Sequence, residues 1–201
     1  DSLEKVRLQK EMELARRVQA HLLTELPKDL AGVDVALHFA AADQTSGDTY
    51  DVVLQESGGL VIAIGDATGH GIGASLLTHA FQAALRTYLE LIDDLDRVTA
   101  RLNDRLVERY EEGHFLSMLL VGFDSARRRL HYVNAGHPGL VLVRDGVVQE
   151  FERTGMVLGV VGGQDYPVAG PIDLQVGDLL FLRTDGVDEA AHRFLCSDRI
   201  A

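Results

Sequence analysis

The chain has one cysteine, four prolines and no long apolar run, and its 19 basic residues are far outnumbered by 31 acidic ones. Each shortage excludes something. A lone Cys196 closes no internal disulfide, which fits a reducing compartment and points to the cytoplasm. No stretch reaches the ~18 apolar residues of a membrane span, and the charged N-terminus is unlike a signal peptide. The formal charge of −12 repels nucleic acid and anionic lipid, so neither is expected as a partner. Internal repeats and low-complexity tracts are absent, and the histidines follow no His-x-x-x-His ligand spacing.

What is present begins with residues 1–26, which hold no Gly or Pro and read as one helix closed by Pro27. Leu8, Met12, Ala15, Val18 or Gln19, Leu22 and Leu26 recur at three- and four-residue steps and form one apolar stripe. Such a stripe serves either an amphipathic helix packed on its own domain or a linker helix pairing with a second copy. The chain starts inside the helical pattern, so it is expected to be cut from a longer protein.

After Pro27 the period changes to that of strands. Segments 33–39, 50–55 and 59–65 are rich in Val and Ile and bounded by Gly, Ser and Asp. Two helices follow, at 72–91 and 95–112, and then strands at 114–124, 130–135, 139–145, 147–151 and 178–184. Arg144-Asp-Gly-Val147 reads as a tight hairpin, because Asp-Gly tolerates positive φ. Residues 153–171 hold five of the twenty glycines and two prolines and read as loop. Strands, two helices, then strands is not the alternation of a parallel α/β sheet. The expected class is α+β, a sandwich of antiparallel sheets with helices outside.

One segment carries two readings. Gly59–Ser75, GLVIAIGDATGHGIGAS, runs a short strand into glycines that open a helix, and Gly69–Ala74 matches the spacing of a dinucleotide-binding loop. That fingerprint needs a parallel strand returning after the helix, whereas here a second helix follows. Asp66 would also stand beside the pyrophosphate with nothing to neutralise it. The metal reading explains more. If 50–55 and 59–65 form a hairpin, facing residues sum to about 114 and Asp48 lies opposite Asp66. Directly opposed residues sit ~4.5–5.5 Å apart, and like charges there are destabilising. Two carboxylates so held call for a proton or a hard cation such as Mg²⁺ or Mn²⁺, to which a backbone carbonyl such as that of Ala67 can add. Asp185, in Arg183-Thr-Asp-Gly-Val187, again follows an apolar strand. Alone it reads as an Asp-Gly turn; beside Asp48 and Asp66 it reads as a third ligand.

These residues lie in three of five motifs: ELARRVQAHLL (13–23), SGDTYDV (46–52), IGDATGHGIGAS (64–75), LHYVNAGHPGLVLVR (130–144) and LFLRTDGVDEA (180–190). Together they resemble the SpoIIE-like, RsbU-like branch of the metal-dependent protein phosphatases, the protein phosphatase 2C superfamily, over nearly the whole chain. The resemblance implies a four-layer α-β-β-α sandwich with two antiparallel sheets flanked by helices, preceded by an N-terminal linker helix. It divides the chain into residues 1–26, the linker or coiled-coil helix, and 27–201, a phosphatase domain lacking its last strand. It implies two Mn²⁺ or Mg²⁺ ions, catalytic carboxylates Asp48, Asp66 and Asp185, and the Ala67 carbonyl in the ligand shell. Ser46 stands where the family has glycine. The family's last strand carries a further metal-binding aspartate; Asp198 does not sit in such a motif and is not assigned.

The resemblance further implies hydrolysis of phosphoserine or phosphothreonine on a bacterial regulatory protein such as an anti-sigma-factor antagonist. An upstream sensor domain and a homodimer through the N-terminal helix go with it. His70 reads as a residue ordering the start of the helix or as a partner of Asp66, and His137, in Asn134-Ala-Gly-His-Pro138, as a loop-shaping residue. Two further readings stand beside this one: a module that binds the phosphoprotein without cleaving it, and a phosphohydrolase of small molecules.

Overall fold

A computed structural model of the chain describes residues 46–55, 58–69, 71–110, 113–187 and 32–39, with Glu4, Val6, Arg7, Lys10, Glu13, Leu26 and Leu30. Its strands are β1 (Asp48–Leu54), β2 (Leu60–Ala67), β3 (Leu116–Asp124), β4 (Arg129–Ala135), β5 (Leu140–Arg144), β6 (Val147–Phe151), β7 (Ala169–Asp173) and β8 (Leu179–Phe181). Two helices, α1 (Ile72–Leu91) and α2 (Leu95–Arg109), sit between β2 and β3. The strands build two antiparallel sheets, one of order β1-β2-β3-β4-β7 and one of order β6-β5-β8. This is the expected α+β class, with three of the four layers among the described residues.

Alternation along the strands decides which side each residue serves. On β2 and β3, Val61, Ala63, Ala67, Leu116, Met118 and Leu120 join Leu77, Phe81, Leu85, Leu102 and Leu106 of the helices in one core. Their neighbours Ile64, Leu119, Val121 and Phe123 turn to the other side, where Leu130, Tyr132, Leu140, Leu180 and Leu182 complete a core between the sheets. The central strand β3 is buried on both faces, which explains its almost unbroken apolar run LSMLLVGF.

The β1–β2 hairpin has the expected register, Leu54 opposite Leu60 and so on to Asp48 opposite Asp66. Its turn is closed by Gln55 N–H donating to the Gly59 carbonyl at 2.8 Å. The Asp145-Gly146 turn has φ of 50° and 78°, the positive pair of a tight hairpin.

Two expectations differ from the structure. Val33–Phe39 forms no strand; alternation makes extended backbone, but a strand also needs a neighbouring edge to take its N–H and C=O groups, and no ladder includes it. Phe39 instead sets its ring 6.1 Å from that of Tyr50. Within the expected loop 153–171, residues 169–171 start β7, an outer strand paired with β4 through an irregular register at Leu130/Tyr132. Gly and Pro are tolerated on such an edge, so composition hid the strand. In residues 1–26, Glu4, Val6, Arg7, Lys10 and Glu13 are helical. Leu8, Met12, Ala15 and Leu22 of the apolar stripe lie outside the described residues, and Leu26 is outside any helix.

Candidate metal centre

Asp48 opens β1 and Asp66 stands near the end of β2, so their pairing falls at one edge of the sandwich, on the side facing the second sheet. Both are half-buried. Burial, then the charges of Asp48 and Asp185, push the Asp66 carboxyl up to about 7. Burial also raises Asp48, against hydrogen bonds from Ser46 and Thr184 that lower it, and the charge of Asp185 adds to the rise. Asp185 is exposed, just beyond β8. The three expected carboxylates are thus brought within one another's field from three separate segments.

Among the described residues no three His, Cys, Asp or Glu are gathered tightly enough to hold an ion by themselves. The pKa shifts and this looser spacing describe one situation: the carboxylates are near enough to raise one another's proton affinity without converging on a point. Backbone oxygen adds to them. A Cβ built on Gly47 would lie 2.7 Å from the Ala67 carbonyl oxygen and 2.9 Å from Asp66 Oδ1, so these oxygens converge on a cradle that only glycine leaves open. Gly47 also accepts the Ala67 N–H at 3.1 Å. Carboxylates short of positive charge, with a carbonyl beside them and, among the described residues, neither sulfur nor imidazole, fit a hard divalent cation.

Ser46 and Thr184 were not foreseen as parts of the site. Ser46 Oγ donates to Asp48 Oδ2 at 3.2 Å and accepts the Asp48 N–H at 3.1 Å. The serine that departs from the family pattern therefore steadies the carboxylate it precedes. Thr184, in the segment after β8, lowers Asp48 through its side chain; its place just before the expected ligand Asp185 was the available signal. The segment after Ala67 is anchored too, with Thr68 N–H donating to the Phe115 carbonyl at 2.9 Å. His137 is buried within the polar turn that follows β4, consistent with a loop-shaping residue. His70, Cys196 and Asp198 lie outside the described residues.

The antiparallel sandwich with flanking helices is a fold known from a protein phosphatase 2C-type domain. The SiaA-PP2C domain of Pseudomonas aeruginosa shares this fold with a TM-score of 0.78 at 21% identity, over 92% of this chain and 75% of that one. The profile of the family described as Stage II sporulation protein E (SpoIIE) matches residues 56–198. The chain belongs to the SpoIIE family. It is 30% identical to the phosphoserine phosphatase RsbU of Bacillus subtilis (strain 168), across 90% of this chain and 54% of RsbU. It is 29% identical to the phosphoserine phosphatase RsbP of the same organism, across 91% of this chain and 46% of RsbP. The chain thus spans about half the length of the curated relatives it matches. No helix among the described residues is long and apolar enough to cross a membrane.

Proposed function

We propose that this chain is a metal-dependent protein serine/threonine phosphatase, hydrolysing phosphoserine or phosphothreonine on a bacterial regulatory protein such as an anti-sigma-factor antagonist. The observation that carries the reading is the set of mutually coupled carboxylates at the sandwich edge, with Asp66 raised to about 7, in a member of this family. A phosphate ester is anionic, and Asp48, Asp66 and Asp185 alone would repel it; the site makes sense for such a substrate only with cations between them. Two divalent ions, Mn²⁺ or Mg²⁺, would supply that charge and an activated water. Asp48, Asp66, Asp185 and the Ala67 carbonyl would hold them.

The chain's own contribution is placement. The β1–β2 ladder keeps Asp48 opposite Asp66, Ser46 fixes the Asp48 carboxylate, and Gly47 leaves the Ala67 carbonyl uncovered. Phosphoryl transfer asks mainly for charge neutralisation and positioning, which suits such a site. No covalent enzyme intermediate is needed. RsbU and RsbP are named phosphoserine phosphatases, which supports the same substrate chemistry here. A cytoplasmic location, a linker role for residues 1–26 ahead of a phosphatase domain at 27–201, pairing of two copies through that helix, and an upstream sensor domain accompany the proposal.

The test is release of phosphate from a phosphoserine peptide with and without added Mn²⁺, for the wild type and for Asp66→Asn. Metal-dependent release abolished by the substitution is expected. Release that survives both EDTA and Asp66→Asn would overturn the reading.

A further inference from the structure

Beyond the carboxylate pair, the same face of the five-stranded sheet continues into polar groups outside the ligand set above. Ser117 on β3 is the direct partner of Asp66 on β2, so its side chain leaves the sheet on Asp66's side. The Ser117 hydroxyl is 2.7 Å from His137 Nδ1. His137 is held by its own turn: its N–H donates to Asn134 Oδ1 at 2.8 Å, and its carbonyl accepts from Asn134 Nδ2 at 3.1 Å. Asn134 is fully buried, and Gly136 adopts φ 70° with Val157 packed where a Cβ would stand.

The rest of the His137 ring is turned to the second sheet. The ring is 5% exposed and Nε2 is buried with no hydrogen-bond partner. The main chain of Arg183 is its neighbour on that side, and burial, foremost, lowers the imidazole to about 4, so it is neutral at neutral pH. Arg183 leads directly into Thr184, which hydrogen-bonds Asp48, and then Asp185. A buried polar atom left unpaired is costly, and an apolar side chain would fill the space without that cost.

We propose that His137 is a positioning residue that spans from Ser117 on β3 to the Arg183 main chain, and so sets the Asp185 loop relative to the Asp48–Asp66 pair. With Ser117 Oγ–H donating to Nδ1, the ring carries its proton on Nε2. The Arg183 main chain is the group that such an N–H would meet. The inference rests on the phosphatase reading and adds a residue to it that touches neither substrate nor reacting atoms.

The experiment combines Mn²⁺ titration calorimetry, phosphopeptide kinetics and thermal melts in EDTA on wild type, His137→Phe, His137→Gln and Ser117→Ala. His137→Phe keeps the ring but neither nitrogen. It is expected to weaken Mn²⁺ binding about tenfold and to lower kcat while leaving KM for the phosphopeptide unchanged. His137→Gln, whose amide reaches toward Arg183 as Nε2 does, restores most of the affinity. Adding Ser117→Ala to His137→Phe causes no further loss, because the pair acts as one unit. If His137→Phe melts lower yet binds Mn²⁺ like wild type, His137 is a packing residue and the proposal falls. Should His137→Phe not fold, wild-type Mn²⁺ affinity in both His137→Gln and Ser117→Ala overturns it instead. A wild type that neither binds Mn²⁺ nor releases phosphate overturns the phosphatase reading together with this one; an active wild type matched by its variants overturns this one alone.

Discussion

Strand β1 carries two aspartates three residues apart, and they meet opposite fates. Asp51 faces α1, is 1% exposed, and receives Arg86 in a fork, Nε to Oδ2 at 2.7 Å and Nη2 to Oδ1 at 2.8 Å. Its Oδ1 also accepts the Val52 N–H at 2.8 Å. Asp48 faces the other way, at the sandwich edge, where among the described residues the charges of Asp66 and Asp185 share its surroundings. The protein supplies a cation for the aspartate that holds a helix to a sheet, and leaves the aspartate at the rim among its own kind. Neutralised charge is a structural device here, and on the proposed reading unneutralised charge is a binding device.

The largest effect that could break this contrast is on turnover. Asp66→Asn should lower phosphate release by at least about 100-fold, the upper end of what loss of even an outer-shell metal partner does. Its melting temperature in EDTA at pH 7.5 should stay level or rise, since one of the repelling charges is gone. Phosphopeptide kinetics and thermal melts read both halves, and a variant that loses stability as well as turnover would erase the distinction between the two aspartates.

Asp51→Ala should do the reverse. Removing one partner of a buried pair leaves the other uncompensated, at about 3–5 kcal/mol when both are enclosed. The Arg86 side chain is 47% exposed, so about 2 kcal/mol is the expected loss, read as a lower urea midpoint. Mn²⁺ affinity of the folded fraction should be unchanged.

A third, smaller effect is on pH dependence. The folded Asp66 carboxyl sits at about 7, above about 3.9 in an unfolded chain. Between those values the native state binds more protons, so stability falls as pH rises, and the contribution is lost as pH passes about 7. His137 acts oppositely: lowered to about 4, it costs stability as pH falls below about 6.5. Comparing wild type with Asp66→Asn in EDTA cancels the histidine. The wild type should lose stability relative to the variant from pH 5 to pH 8, and Mn²⁺ should remove the difference. Parallel curves in EDTA would mean that Asp66 is not held as described.

The smallest effect belongs to Ser46. Ser46→Ala removes a bond worth about 1 kcal/mol, so Mn²⁺ affinity should fall roughly fivefold with the fold intact. Calorimetry on the folded variant checks it, and an unchanged affinity would leave Ser46 as backbone support only.

How far these features can be read without the structure differs from residue to residue. Asp48 opposite Asp66 was legible because a hairpin register is local arithmetic: a short turn fixes which residues face each other. The same holds for α1, whose bounds at Ile72 and Leu91 match the periodic run, and for the Asp145-Gly146 turn. Strand β7 was hidden because its AGPID composition reads as loop, and only the free edge of β4 makes it a strand. Segment 33–39 erred in the other direction, alternating without a ladder to join.

The sequence by itself determined the class of fold, the hairpin that opposes two carboxylates, and the acidic surplus on which the proposal of a cation rests. These depend on periodicity, turn chemistry and charge, all carried by neighbours along the chain. Only the tertiary structure decided that Asp185 and Thr184 reach the pair from the segment after β8, that Arg86 serves Asp51 and not Asp48, and that His137 stands between Ser117 and Arg183. Those juxtapositions join residues 20 to more than 130 positions apart, for example Ser117 with His137, |i−j| = 20, and Asp48 with Asp185. Strand alternation turns every second side chain toward one layer or the other, but it does not say which distant segment waits there; packing the two sheets face to face does.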